Sequence, residues 1–285
     1  MKPQHSSTPR VWFITGTSQG FGKELVRAAL WRGDSVVATS RNPQKVAEDF
    51  PMDSERLLTV ALDLHDSTQI SQVVQSAVDR FGRIDVLVNN AGHGLLGAVE
   101  EASDAEIAKV YETNVFGLIR VTRVVLPYLR TQHSGHIVNI SSIGGLIGLA
   151  GWGIYCSTKF AVEGLSEALA LEVAPLGIHV TIVEPGPFRT DFLGSSLTAT
   201  AQQISDYDQT AGLTRSAATE RHGNQPGDPA LAAEAIVQAV ISDKPPLHLL
   251  LGGMAYVRAN QKLDELRKEF KAWEEVALSS DYKMP

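Results

Sequence analysis

The chain has 285 residues, 44% of them hydrophobic and 20% charged, which suits one large α/β domain with a substantial core. Its net charge of −7 argues against a nucleic acid or an anionic membrane surface as the main partner. The single cysteine, Cys156, leaves no internal disulfide and no thiolate metal site, and no run is long and apolar enough to span a membrane.

The first ten residues, Met1 to Arg10, are polar and lack the apolar core of a secretory signal, so a cytoplasmic protein is expected. From Val11 onward, strand-like and helix-like segments alternate. Strands are expected at Val11–Thr15, Ser35–Thr39, Leu57–Leu62, Val86–Asn89, His136–Ile140, Val180–Glu184 and Leu247–Leu251. Most are continuous Val, Ile and Leu runs, the pattern of parallel strands covered on both faces. Helices are expected near Gly22–Trp31, Thr68–Phe81, Asp104–Arg130, Tyr155–Val173, Pro229–Ile241 and Arg258–Val276. This alternation implies a Rossmann-type α/β fold: a doubly wound parallel sheet of about seven strands, with right-handed crossovers and helices on both faces. No internal repeat or Pro/Ser-rich linker divides the chain, so residues 1–285 read as one domain.

Two regions depart from the pattern. Residues 193–227 are polar and rich in small residues, without clear periodicity. They follow the sixth strand, at the sheet edge where open α/β folds bind ligands, and are expected to form a lid over a substrate. In the tail, residues 256–285, the spacing of Leu263, Leu266, Phe270, Trp273 and Val276 predicts an amphipathic helix packed on the body or on a neighbour.

Three motifs carry chemistry. The first is Val11-Trp-Phe-Ile-Thr15-Gly16-Thr-Ser-Gln-Gly20-Phe-Gly22, a strand, a glycine turn and a helix start. Such a turn lets backbone approach a pyrophosphate at a helix N-terminus. The second is Asn89-Asn90-Ala91-Gly92. The third is Ser142 with Tyr155 and Lys159. Four residues apart on a helix, Tyr155 and Lys159 share a face. An ammonium beside a phenol favours the phenolate and lowers its pKa, giving a proton donor and acceptor near neutral pH. Ser142 follows an apolar strand, on a loop able to aim its hydroxyl at the same point. Cys156 reads as a small packing residue, and the eight histidines show no ligand spacing, so no metal is expected.

Together with a lone Asn114 and Pro185-Gly186, these segments resemble the short-chain dehydrogenase/reductase family, from about Val11 to the strand near Leu250. The resemblance implies a nicotinamide cofactor held by Gly16, Gly20, Phe21 and Gly22, with Asp63 and Leu64 at the adenine. Asn90, Ala91 and Gly92 would line its ribose, and Pro185, Gly186 and Thr190 would lie beside the carboxamide. It also implies Tyr155 as general acid in carbonyl reduction and base in reverse, Ser142 binding the substrate oxygen, and Lys159 holding the nicotinamide ribose. Asn114 would support a water linking Lys159 to solvent. No acid ends the second strand; Ser40 and Arg41 stand there, and guanidinium suits a phosphate, so NADP(H) is expected over NAD(H), with Ser18 a further phosphate partner.

The segment from Ser142 to Gly164 is similar to that of hydroxysteroid dehydrogenases and carbonyl reductases acting on lipophilic substrates. His93, Leu95, Leu149, Trp152 and Phe192 are the candidate pocket wall. A homodimer or homotetramer, paired through the long helices, is expected by the same resemblance. The rival reading is a non-catalytic NADP(H)-binding redox sensor, which would often have lost the tyrosine or the lysine; here both are present.

Overall fold

The computed structural model describes residues 9–282; the N-terminal stretch 1–8 and the last three residues of the tail, on which expectations were placed, lie outside it. The first half of the chain forms β1 (Val11–Thr15), α1 (Gly20–Trp31), β2 (Ser35–Ser40), α2 (Pro43–Asp49), β3 (Leu57–Ala61), α3 (Ser67–Phe81), β4 (Val86–Asn89), β5 (Gly94–Leu96), α4 (Asp104–Tyr111) and α5 (Leu118–Gln132). The second forms β6 (Gly135–Ile140), α6 (Gly153–Val173), β7 (Ile178–Pro185), β8 (Leu197–Ala199), α7 (Leu213–Arg221), α8 (Pro229–Ile241), β9 (His248–Leu251), α9 (Gly253–Ala272) and α10 (Glu274–Ser279).

Seven parallel strands lie in the order β3-β2-β1-β4-β6-β7-β9. Alternation along β1 explains the two cores. Trp12 and Ile14 face α1 and α8, packing with Leu25, Val26, Ile236 and Val237. Phe13 faces the opposite way, with Ile70, Val74, Val125 and Leu169 of α3, α5 and α6. Each such side chain, taken fully out of water, contributes about 1.5–3 kcal/mol. The strand order reverses between β1 and β4, so a crevice opens at their carboxyl ends, where ligands bind in such sheets.

Helix boundaries follow local chemistry. Asp66 caps α3 by accepting from the Thr68 and Gln69 amides, and Gly82 ends that helix at φ 77°. Ser103 and Glu106 form a reciprocal capping box on α4.

Two expectations require correction and a third is narrowed. The helix expected across Asp104–Arg130 is broken by a π-helical turn, Glu112–Gly117, that carries Asn114. The 193–227 segment is not devoid of regular structure: it contains β8, paired with β5, and α7. The tail does form helices, but Leu263, Phe270, Trp273 and Val276 are more than half exposed, and only Ala255 and Ala259 of α9 are buried. Among the described residues its apolar stripe is not packed on the body, which leaves the neighbour of the two expected covers.

Candidate active site

The glycine turn is built by close backbone approach. Gly16 and Gly20 have φ of 71° and 57°, a region costly for any side chain. At Gly22, a Cβ would lie 2.2 Å from the Gly16 carbonyl oxygen. Asn90 braces the turn from β4: its Nδ2 donates to the Thr15 and Gly16 carbonyls at 2.8 and 2.9 Å. The Thr15 hydroxyl accepts from the Asn90 and Ala91 amides at 3.0 and 3.1 Å. At the head of α1, Gln19 makes no side-chain cap and the first turn carries no acid, so the orphan N–H groups are open to an anion. The residues present fit a dinucleotide pyrophosphate.

At the end of β2, Ser40 is buried and its Oγ accepts from the Asn42 amide at 3.0 Å. Arg41 beside it is exposed and makes no hydrogen bond or ion pair among the described residues. Ser18 is half-buried in the turn between β1 and α1. Asp63 stands just past β3 rather than within it, mostly exposed, its carboxylate accepting from the His65 amide at 3.0 Å. Leu64 packs against Gly117 of the π turn. Phe21 meets Phe188 edge-on at 5.1 Å. Pro185 ends β7, and the Gly186 amide donates to Leu251 at 2.9 Å. Thr190 reaches back over the turn, 3.4 Å from where a Gly20 Cβ would lie.

Ser142, Tyr155 and Lys159 converge at the carboxyl ends of β4 and β6. The Ser142 hydroxyl faces the Tyr155 hydroxyl and accepts from the Gly144 amide at 3.0 Å. Lys159 Nζ donates to the Ile140 carbonyl at 2.8 Å and lies 5.8 Å from the centre of the Tyr155 ring. Burial pushes the Tyr155 phenol above its ordinary range, with the Ser142 hydroxyl pulling the other way. The expected lowering by Lys159 is therefore not met: the ammonium is bonded to a carbonyl, and desolvation of the phenol dominates. Burial also pulls Lys159 down to about 8, opposed by the charge of Glu163.

Asn114 interrupts its helix for a tertiary reason. Its Nδ2 donates to the His93 carbonyl at 2.9 Å and to Thr158 Oγ1 at 3.1 Å, while its Oδ1 accepts from the His93 amide at 3.0 Å. The π turn aims this side chain at the Gly92–His93 loop and α6 together. A second polar set, which the sequence reading did not identify, seats α6 on the sheet. Asn89 donates to Thr122 and Asn139, both at 2.9 Å, and Asn139 donates to Ser166 at 2.8 Å.

Trp152, Tyr155 and Phe192 form an aromatic wall, with ring centres 5.4–6.1 Å apart. Leu95, on β5, is buried and lines a small cleft with His93, Glu106, Lys109 and Thr198. Burial, then Lys109, Arg41, His65 and Lys159, lowers the His93 pKa and keeps the ring neutral. Leu149 lies on the loop before α6, half-buried, its carbonyl accepting from the Trp152 amide.

Two further residues, neither at a defining position of a motif, tie the 193–227 segment down. Gln19 Nε2 donates to Ser195 and Ser196 at 3.2 and 3.1 Å, across the mouth of the glycine turn. Glu101, 1% exposed, accepts from the Ala98 and Ile204 amides and pairs with Arg215 of α7 at 2.6 Å. These donors hold its carboxyl at about 2 against the cost of burial. Sequence spacing offered no metal-ligand set, yet the fold brings Glu163, Glu184 and His248 within 4.8 Å of one another.

Residues 10–201 match the short chain dehydrogenase family model. The chain is 40% identical over 273 residues to oxidoreductase BOA17 of Botryotinia fuckeliana, covering 95% of this chain and 99% of that protein. It is 38% identical over 252 residues to the 3-ketodihydrosphingosine reductase of Bacteroides thetaiotaomicron, covering 87% and 90%. Among solved structures, a short-chain dehydrogenase from Streptomyces avermitilis shares 42% identity at a TM-score of 0.91, covering 96% of this chain and all of that one.

Proposed function

The chain belongs to the short-chain dehydrogenase family of oxidoreductases, and from that membership we propose an NADP(H)-dependent enzyme that interconverts a lipophilic ketone and its alcohol, with Tyr155 as general acid and base. The observation that carries this reading is the buried Tyr155 hydroxyl facing Ser142, with Lys159 one helical turn on and its ammonium 5.8 Å from the Tyr155 ring, beside an open helix N-terminus.

When bound, a nicotinamide dinucleotide supplies the hydride. The protein's residues do the rest. The α1 N-terminus and the turn at Gly16, Gly20 and Gly22 hold the pyrophosphate. Arg41, exposed where an acid would repel a phosphate, takes the 2′-phosphate. The Ser142 hydroxyl orients the substrate oxygen, and Tyr155 Oη gives it a proton as negative charge builds there. Because burial keeps the phenol protonated, the resting site is set for reduction. The buried Lys159 ammonium stabilises the phenolate left behind. Asn114 fixes the His93 backbone against α6, which keeps the floor of the site in place.

Trp152 and Phe192 turn apolar faces toward Tyr155, which suits a substrate with an apolar body. The similarity to the 3-ketodihydrosphingosine reductase of Bacteroides supports that class. The 193–227 segment acts as the lid, anchored by Glu101 and Gln19. Exposed Phe116, Phe160 and Leu171 on the π turn and α6 suit pairing into a homodimer or homotetramer. A reducing, cytoplasmic setting suits the one buried thiol.

The test is consumption of NADPH and NADH against long-chain, steroid and aromatic ketones, with Tyr155→Phe as control. Turnover that prefers NADPH and vanishes in Tyr155→Phe is expected. Tight NADPH binding without turnover on any carbonyl would favour a sensing role instead.

A further inference from the structure

Behind the site, on the far side of Lys159 from the aromatic wall, lies a second cluster of ionisable groups. Glu163 is one helical turn after Lys159 on α6, and both side chains are buried. Glu184 comes from β7 and is fully buried. His248 comes from β9; its side chain is 42% exposed, and its Nδ1 lies 2.7 Å from Glu184 and 3.9 Å from Glu163. Glu167, half-exposed, stands 3.8 Å from His248 Nε2. The Ser141 hydroxyl, next to Ser142, faces Glu163 from the end of β6.

Charge and hydrogen bonding do not balance here. Both Glu163 oxygens and Glu184 Oε2 are buried without a well-formed hydrogen bond. Two buried carboxylates this close cannot both ionise cheaply; a shared proton satisfies them. Burial, opposed by Ser141, raises Glu163 to about 7, and burial likewise raises Glu184. The groups facing Glu163 are thus Lys159 and Glu167 on its own helix, Ser141 on β6's end, Glu184 on β7 and His248 on β9.

We propose that Glu163 is a positioning residue for Lys159: with Glu184 and His248 it forms a buried proton-holding cluster, open to solvent through His248, whose charge sets how firmly Lys159 keeps its own. This rests on the reading of Lys159 as part of the reaction centre. When the cluster loses its proton, the Glu163 anion holds the neighbouring ammonium charged. When the cluster is protonated, burial alone acts on the lysine and releases its proton more readily. Proton exchange at the rear of α6 is thereby coupled to the group that stabilises the Tyr155 phenolate.

The test measures Lys159 ionisation in two ways. NMR of carbon-13-labelled lysine, assigned with Lys159→Met, follows it directly in the free protein. The alkaline limb of kcat/KM follows it in turnover. Glu163→Gln, permanently neutral, is expected to move both toward lower pH by about one unit. That shift is about a tenfold loss of kcat/KM above both limbs, and Glu163→Asp should restore most of it. His248→Gln, on a half-exposed residue, should shift both the same way by less, since it removes the ring that bonds Glu184 and favours the ionised form of Glu163. Should Glu163→Gln fail to fold, His248→Gln carries the test. Identical Lys159 titrations in wild type and variants would overturn the proposal and leave Glu163 a structural residue. One-to-one Mn2+ binding that His248→Gln abolishes would also overturn it, because a cation and not a proton would then balance the carboxylates. If no carbonyl is turned over, the functional reading fails, and the lysine titration still decides this one.

Discussion

Replacing Gly22 by alanine would place a methyl group 2.2 Å from the Gly16 carbonyl oxygen, 2.6 Å from Asn90 Nδ2 and 2.9 Å from the Gly16 carbonyl carbon. Van der Waals contact would need roughly 3.5 Å, so the overlap exceeds about 1 Å. Two of the three atoms are backbone, and the third is held by bonds to the Thr15 and Gly16 carbonyls. Relief requires α1 to back away from β1 or Asn90 to release the turn. Overpacking of this kind costs about 3 kcal/mol. For a chain of this length each kcal/mol lowers Tm by about 2–4 °C, so the loss is on the order of 10 °C. Displacing the helix N-terminus also removes pyrophosphate contacts, so NADPH affinity, read by fluorescence titration, should fall at least about tenfold. Gly82→Ala is the control: φ there is 77° with nothing within 4 Å of the added Cβ. It should cost about 1 kcal/mol by backbone strain and leave NADPH affinity unchanged. Wild-type Tm and affinity in Gly22→Ala would refute the account of the braced turn.

Asn114→Ala strips three hydrogen bonds from a buried site and should cost about 2–4 kcal/mol in urea unfolding, with a fall in kcat as the His93 backbone loosens. Arg41→Asp should shift the ratio of kcat/KM toward NADH by removing a phosphate partner and adding repulsion; an unchanged ratio would show that Arg41 does not discriminate. His136, buried against Thr181, has its pKa pulled to about 3, chiefly by burial, so the folded state keeps it neutral. Its stabilisation is complete above the ordinary histidine range, near 6.5, and is lost as pH falls toward about 3. His136→Leu should therefore flatten the pH dependence of unfolding below about pH 6 by up to about 1.4 kcal/mol per pH unit. Glu101→Gln removes the carboxylate that pairs with Arg215. It should speed tryptic cleavage in α7 well before global unfolding; unchanged cleavage would mean that the segment is anchored elsewhere.

The parts of this molecule legible in its sequence were those fixed by local pattern. Each of the seven strands of the main sheet lies within two residues of its expected place, because Val, Ile and Leu runs between turn residues have few other solutions, whereas the three-residue β5 and β8 carry no such run. The glycine turn and the Ser142, Tyr155 and Lys159 spacing were legible for the same reason. What escaped depends on contacts distant in sequence. The π turn at Asn114 exists because its side chain is claimed by His93 and Thr158. Helix α7 has little apolar face of its own, burying only Ala218, and is held through Arg215 to a glutamate more than a hundred residues earlier. The direction of the Tyr155 shift needs to be known from burial, which no spacing reports. The apolar stripe of α9 was legible as a stripe, but whether anything covered it was not.

The most direct test of the central claim is transfer of deuterium from NADPH deuterated on the nicotinamide ring to a long-chain ketone, followed by mass spectrometry of the alcohol in wild type and Tyr155→Phe. The account predicts one deuterium on the carbinol carbon in wild type and none above background in the variant, with NADPH bound equally well by both. Equal labelling by the two proteins would contradict it, because the proton would then reach the substrate oxygen without Tyr155.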